Sequence, residues 1–596
     1  QSSTANVGAS STVTMLGVQN DKLVSNGNRV TVSDNSVSAA AAANTGANAV
    51  QLDADSTLTG VGALLSNGQI VNGSNVTATA RVPVLGLTNA AASTGSTPTI
   101  TGNAVQSSAL GSQATNQVAA QAAGALANTS TSLVNSQQHV AGNTSATTNI
   151  DRVGSATPLS TNDTLVVSDN LLSASAASNQ AGNQVSQSGA TVSGATAALT
   201  NMQTHNAGNV GAVVGSSADF SPTPQAAPAL VGANGSGLNV LIGGTAQVSG
   251  NSAQASADVN LATNVVDVAS TTTLGTPAGG LGNSQNVYGG AASALVMVNY
   301  GVNGIRSLGN AVVVSGNSAQ AEASQNQAAN TLALTAGSAL TAATPNSLAS
   351  SQTANGSTSA TVQTQLLSGT GIANANDGDT TITGNSASSS ARNNVANNVV
   401  AIDAGTQVSG LTSQLINGQT STGGATATTS LTAPVGSVAA LGGAVTVSGN
   451  DASALAAGNA ALNALSADAG TALNATSALS LGNTQVNSGP ITAGTTLGAT
   501  VVSTGNSVNA LNNTASAAAF GNSAVNQVTV LALAGQATAS SSLVSNQTNS
   551  GAVTATVSGN FTSTGGLSGN TTIGGNRASA VAVGNSSTSS MVVGVQ

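Results

Sequence analysis

The sequence predicts an all-β fold, a single elongated β-solenoid built from about nine repeats of ~67 residues, each with an A and a B element. Three observations predict it. The composition suits stacked strands better than a globular core. A pattern of asparagines and glycines holds register along the whole chain. Between those markers the apolar residues alternate with period two.

Composition comes first. Of 596 residues only 4% are charged and 1% aromatic, with three Phe, two Tyr and no Trp. Aromatic side chains supply the largest buried areas, so a thick globular core is hard to build from this chain. Disorder usually combines low hydrophobicity with high charge. Here 40% of residues are hydrophobic and the charge is low, which suits neutral, β-branched and amide-bearing strands that stack. A net charge of −9, with Lys22 and six arginines, leaves no basic patch for nucleic acid. The absence of Cys excludes disulfides, thiol catalysis and Cys-ligated zinc. No apolar run reaches ~18 residues, so no membrane insertion by a helix is expected. The chain starts at Gln1 rather than Met, and a mature, secreted form with its leader removed is the expectation.

Element A opens the repeat. Its clearest copies are "VSDNSVSAAAAANTGANAVQL" (32–52), "VSGNSAQAEASQNQAANTLAL" (314–334) and "ITGNSASSSARNNVANNVVAI" (382–402). The anchor asparagines are Asn35, Asn103, Asn170, Asn251, Asn317, Asn385, Asn450, Asn506 and Asn576. Nine residues on stand Asn44, Asn179, Asn260, Asn326, Asn394 and Asn459; thirteen on stand Asn48, Asn183, Asn264, Asn330, Asn398 and Asn463. The copy at Asn506 fits with seven extra residues, which bring Asn522 and Asn526 into register. Small residues at plus four and plus six (Ala321, Ala323) and aliphatics at plus fifteen and plus seventeen (Leu332, Leu334) give the strand alternation. Interleaved Ser, Asn, Thr and Gly argue against a helix.

Element B follows, reading Gln-x-x-x-Gly and then small and Thr/Val residues, as in "QIVNGSNVTATA" (69–80) and "QHVAGNTSATT" (138–148). The distance from anchor to B glycine is 38 or 39, except 45 for Asn506 to Gly551. All ten prolines fall outside the span from anchor to plus thirteen, with Pro222, Pro224 and Pro228 in the longest connector. This fits paired strands joined by looser connections. The asparagines then become ladders, each side chain bonding its equivalent above and below and tolerating a left-handed corner. If A and B each make about one turn, some seventeen turns give a rod of roughly 80 Å; three shorter turns per repeat fit the length as well.

The ends complete this organisation. Residues 1–30 hold a partial B element, "ANVGASSTVTML" (5–16); 31–575 hold eight A+B repeats; 576–596 hold a terminal A. An open sheet edge at each end needs a cap or a partner. Two readings follow: residues 1–30 receive the end of a second copy, continuing the A/B alternation into a filament, or they fold back as a cap on their own subunit.

No chemistry-bearing cluster stands out. His139 and His205 lie in neighbouring B elements with no further recurring ligands, and are expected to be surface polar residues. Asp34 and Asp169 fall in the slot before the anchor usually held by Gly, a turn role. Asp53, Asp267 and Asp403 are expected to face water, and no catalytic, cofactor or metal site is assigned.

The repeat grammar resembles a known family. "VSGN" at 447–450 followed by "GN" at 458–459, with "AAGN" at 456–459 and "SNGQ" at 66–69, is similar to the repeats of Fap-type bacterial biofilm amyloid subunits. The Asn/Gln/Gly/Ala/Ser texture is similar to curli subunits. The resemblance implies a secreted, non-enzymatic fibre protein, whose partners are other copies of itself. The alternative is a repeat adhesin or surface stalk that does not polymerise and binds carbohydrate or another surface.

Overall fold

The computed structural model describes residues 1–19, 29–88, 97–150, 152–155, 164–215, 229–232, 239–242, 245–303, 305–308, 311–341, 345–366, 375–376, 379–440, 443–473, 478–503, 507–534, 540–564 and 569–595. These residues form an all-β solenoid of parallel strands in register. No helix among them is long and apolar enough to cross a membrane.

One repeat makes one layer. In the first full layer the chain runs through a short strand (Arg29–Ser33), a long strand (Ser36–Ala54), a glutamine strand (Gly62–Asn72) and a fourth strand (Val76–Arg81). Each then pairs with its own equivalent one repeat later: Thr31 with Thr99, Val37 with Val105, Leu65 with Leu133, Ala78 with Ala146. A and B therefore lie side by side in a layer and never stack on each other. The short and glutamine strands form nine-stranded sheets, and the long and fourth strands anchor two larger sheets. Nine layers at ~4.8 Å make a stack of about 40 Å. This corrects the seventeen-turn, ~80 Å expectation: neither A nor B closes a turn alone.

The long strand explains why. Its alternation runs to anchor plus seven, then residues plus eight and plus nine both turn inward, as at Gly458 and Asn459. The inter-strand pairing steps over plus eight, for example from Ala457–Phe520 to Asn459–Asn522. An extra residue on each strand bends it and reverses which side chains face in. Inward positions are thus even before the bulge (Ala454, Ala456) and odd after it (Leu465, Ala467).

The bend divides the interior in two. One apolar core packs the first half of the long strand against the short and fourth strands, with Ala255, Val248 and Ala294 among its members. The other packs the second half against the glutamine strand, where Leu133, Leu199, Leu281, Leu348, Leu415 and Leu481 form a continuous leucine column.

The corner before the long strand is left-handed in all nine layers. Gly102, Gly250, Gly316, Gly384, Gly449 and Gly575 have φ between 62° and 67°, and Asp34, Asp169 and Asn512 have φ of 55–57°. Asp and Asn are the side-chain-bearing residues that best tolerate this region, so the turn role of Asp34 and Asp169 holds. Asn512 corrects the assignment of the eighth anchor. That anchor is Asn513, not Asn506, and Asp451 pairs with Thr514 in plain register. No residues are then extra, since Asn450 to Asn513 spans 63 residues, as does Asn513 to Asn576, and Asn506 lies outside the described residues. So do Pro222, Pro224 and Pro228, while Pro98 sits inside a short strand, paired with Val30.

Residues 1–19 belong to the stack. Ser2–Ser3, Val7–Thr12 and Leu16–Gln19 pair with Ile70–Val71, Val76–Arg81 and Leu85–Thr88. They supply a further B layer beneath the first B element. At the other end Arg577–Val595 stacks on Thr514–Ala532.

Candidate functional site

The distinctive chemistry of this molecule is a set of amide columns along the stack. Asn35, Asn170, Asn251, Asn317, Asn385 and Asn450 stand, with Asn103, Asn513 and Asn576, in one column at the left-handed corner. Each Nδ2 donates to the Oδ1 of the next layer at 2.8–2.9 Å. Main-chain groups fix the orientation: Asn103 Oδ1 also accepts the Asn35 N–H at 3.2 Å, and its Nδ2 also donates to the Val32 carbonyl at 2.9 Å.

Asn179, Asn260, Asn326, Asn394 and Asn459 form the second column with Asn522 and Asn585, bonded at 2.7–2.8 Å. Asn44 is cut off from it by Ser112, whose buried Oγ has no partner, as has the Oδ1 of Asn179. Asn48, Asn183, Asn264, Asn330, Asn398 and Asn463 form the third with Asn116 and Asn526.

Sequence reasoning missed two further columns, both on the glutamine strand. Asn67, Asn135, Asn201 and Asn283 bond in series at 2.7–2.8 Å, and Asn417 continues to Asn483. The third column bonds sideways to this one, for example Asn116 to Asn135 at 3.1 Å. Gln1, Gln69, Gln137, Gln203, Gln285, Gln352, Gln419, Gln485 and Gln547 form the second. In B copy two the column residue is Gln137, not Gln138. A register shift between His139 and Ala141 accommodates one extra residue before Gly142. Most of these amides are fully buried, so each bond spares a polar group from being desolvated without a partner. The four columns other than the corner one form a polar seam between the two apolar cores.

The histidines correct a second expectation. His139 and His205 are 0% and 1% exposed, and their rings stack with centroids 4.9 Å apart. Each Nε2 lies 2.9 Å from a turn carbonyl, of Gly142 and Gly208, which can only accept, so each Nε2 carries a proton and donates it. Ser178 Oγ bonds Nδ1 of His205, while Nδ1 of His139 has no partner. Burial pushes both below the usual imidazole range, His205 to about 4 with help from the neighbouring ring. They face the bulge residue of the long strand, and sizes compensate: Gly111 beside His139, Ser178 beside His205, Asn393 beside Ser421, Gly458 beside Asn487.

Acidic groups stand apart from the seam. Burial pushes the Asp258 carboxyl up, against hydrogen bonds from Ser324 and Ser256. Asp53 and Asp403 face water and Asp267 is half-buried. Among the described residues no three His, Cys, Asp or Glu converge as a metal site. Amides neither titrate nor attack; what the columns can do is hold layers in register and carry that register to the end faces.

No family model matches this chain, and no curated protein or solved structure gives a significant match to it.

Proposed function

We propose that this protein is a structural subunit that polymerises head-to-tail into filaments, exported to form part of an extracellular biofilm matrix or surface coat. One observation carries the reading. The corner asparagine column and the glutamine column run from the first layer to the last, so the last layer has the same plan as the first. Inward residues buried in the interior become exposed in the last layer: Val528 is 0% exposed, its column neighbour Met591 43%, and Ile573 54%. A second copy stacked there buries these side chains and pairs the strand edges, a heterologous contact that propagates without closing. With 4% charged residues, little repulsion opposes it.

Electron microscopy of the 596-residue chain beside a variant lacking residues 1–19 tests this. Long uniform filaments from the first and none from the second are expected, since the truncation removes the B layer that would complete the junction. Discrete rods from both would refute polymerisation and favour a stalk or adhesin.

A further inference from the structure

The amide columns have directions, and the directions differ. In the asparagine columns every bond between layers donates towards the C-terminal end, and in the corner column without a break: Asn35 to Asn103, and so on to Asn513 donating to Asn576. In the glutamine column every layer donates towards the N-terminal end: Gln69 to Gln1, and so on to Gln547 donating to Gln485. Main-chain partners lock both senses. Gln137 Nε2 also donates to the Gln180 carbonyl and Gln203 Nε2 to that of Leu261, just as the asparagine Nδ2 groups hold carbonyls of their own. An amide that flips here loses a bond to the backbone.

The two end faces are therefore chemically distinct. The C-terminal face offers N–H donors at Asn576 and Asn585, and an acceptor, the Oε1 of Gln547. The N-terminal face offers acceptors, the Oδ1 atoms of Asn35 and Asn44, and a donor at Gln1.

Resting on the filament reading above, we infer that these opposed ladders make the contact between copies unidirectional and fix its register. The C-terminal face of one copy takes the N-terminal face of the next, with Asn576 donating to Asn35, Asn585 to Asn44, and Gln1 to Gln547. Two like faces cannot join this way: two C-terminal faces set donors against donors at the asparagines and acceptor against acceptor at the glutamine, and two N-terminal faces set the reverse. A contact slipped by one residue fails too, because it turns inward side chains outward along the long strand. The same register sets Ser579 opposite Ser38. Both are exposed, and both belong to the outward column in which Ser516 pairs with Ser579 and Ser38 with Gln106.

The chain has no Cys, so engineered thiols report this register without background. Equivalent residues on parallel in-register strands lie ~4.8 Å apart, within the Cα–Cα range of a disulfide. Ser38→Cys and Ser579→Cys chains are mixed in equal amounts, allowed to assemble, oxidised and run on a non-reducing gel, with the same samples viewed by electron microscopy. The expected product is the mixed dimer, at least tenfold over either homodimer and over the dimer from Ser38→Cys with Ser587→Cys. A single chain carrying Ser38→Cys and Ser579→Cys should give a covalent ladder. Filaments that cross-link as homodimers, or equally well through Ser587→Cys, would overturn the inferred direction and register while leaving polymerisation standing. Absence of both filaments and cross-links would overturn both.

Discussion

Replacing Asn459 by Leu puts the ladder to a quantitative test. Asn459 is fully buried and makes three bonds: its Oδ1 accepts from Asn394 at 2.8 Å, and its Nδ2 donates to Asn522 Oδ1 at 2.7 Å and to the Val486 carbonyl at 2.8 Å. Leucine keeps the branching and heavy-atom count, though it is bulkier, and leaves three polar groups without this partner. A buried unsatisfied group costs about 1–3 kcal/mol. Burying the added apolar surface returns about 2 kcal/mol. The net loss is about 1–7 kcal/mol, near 4 at mid-range, felt mainly by the layers in contact, because a repeat stack couples nearest neighbours. Hydrogen exchange read by mass spectrometry on the long strands is the assay. Exchange in 386–404, 451–469 and 514–532 should accelerate about a hundredfold or more, since each 1.4 kcal/mol is a factor of about ten. Exchange in 36–54 and 104–122 should not change. Asn459→Ser should cost less, because Ser112 already holds this slot in one layer. Unchanged exchange around Asn459→Leu would refute the claim that the ladder binds the layers.

Two further perturbations separate other contributions. Because His139 and His205 stay neutral when folded but take up protons when unfolded, stability should be full above the ordinary imidazole pKa of about 6.5 and fall as pH drops towards about 4. His205 alone contributes a loss of about 3 kcal/mol over that window. Val71 and Val287 already fill this column in the adjoining layers, so His139→Val with His205→Val should fit and should abolish the slope in urea melts between pH 7 and 4. The raised Asp258 carboxyl works in the opposite sense, so the comparison is between variant and parent; an unchanged slope would contradict the neutral pair. At Gly316, where a Cβ meets only the Gly250 nitrogen at 3.9 Å but φ is 63°, Ala should cost about 1–2 kcal/mol from backbone strain, and Asn clearly less. Equal urea midpoints for Ala and Asn would contradict the left-handed corner.

Much of this architecture is legible in the sequence, for a physical reason: in-register stacking places equivalent residues in one environment, so a column of environments becomes a column of letters. The asparagines at anchor, plus nine and plus thirteen fall into three columns, and Asp34 and Asp169 substitute for Gly because all three tolerate the corner. Other features are not legible in this way. Spacing alone does not say whether A stacks on B or on the next A, so it leaves the turn count open. The long-strand bulge leaves only a phase change, from even inward positions (Ala454, Ala456) to odd ones (Leu465, Ala467). Gly505–Asn506 mimics the usual Gly–Asn anchor, whereas the true pair is Asn512–Asn513; the distance of 38 from Asn513 to Gly551 is the signal that separates them. His139 and His205 read as surface residues because polarity alone does not reveal that Gly111 and Ser178 make room for rings.

The most direct test of the account is the axial repeat of the filament, from power spectra of electron micrographs. One layer per repeat and a junction that continues the stack predict a ~4.8 Å layer line and a subunit repeat of nine layers, about 43 Å. A subunit repeat near 80 Å, or particles of about 40 Å that never join, would contradict it.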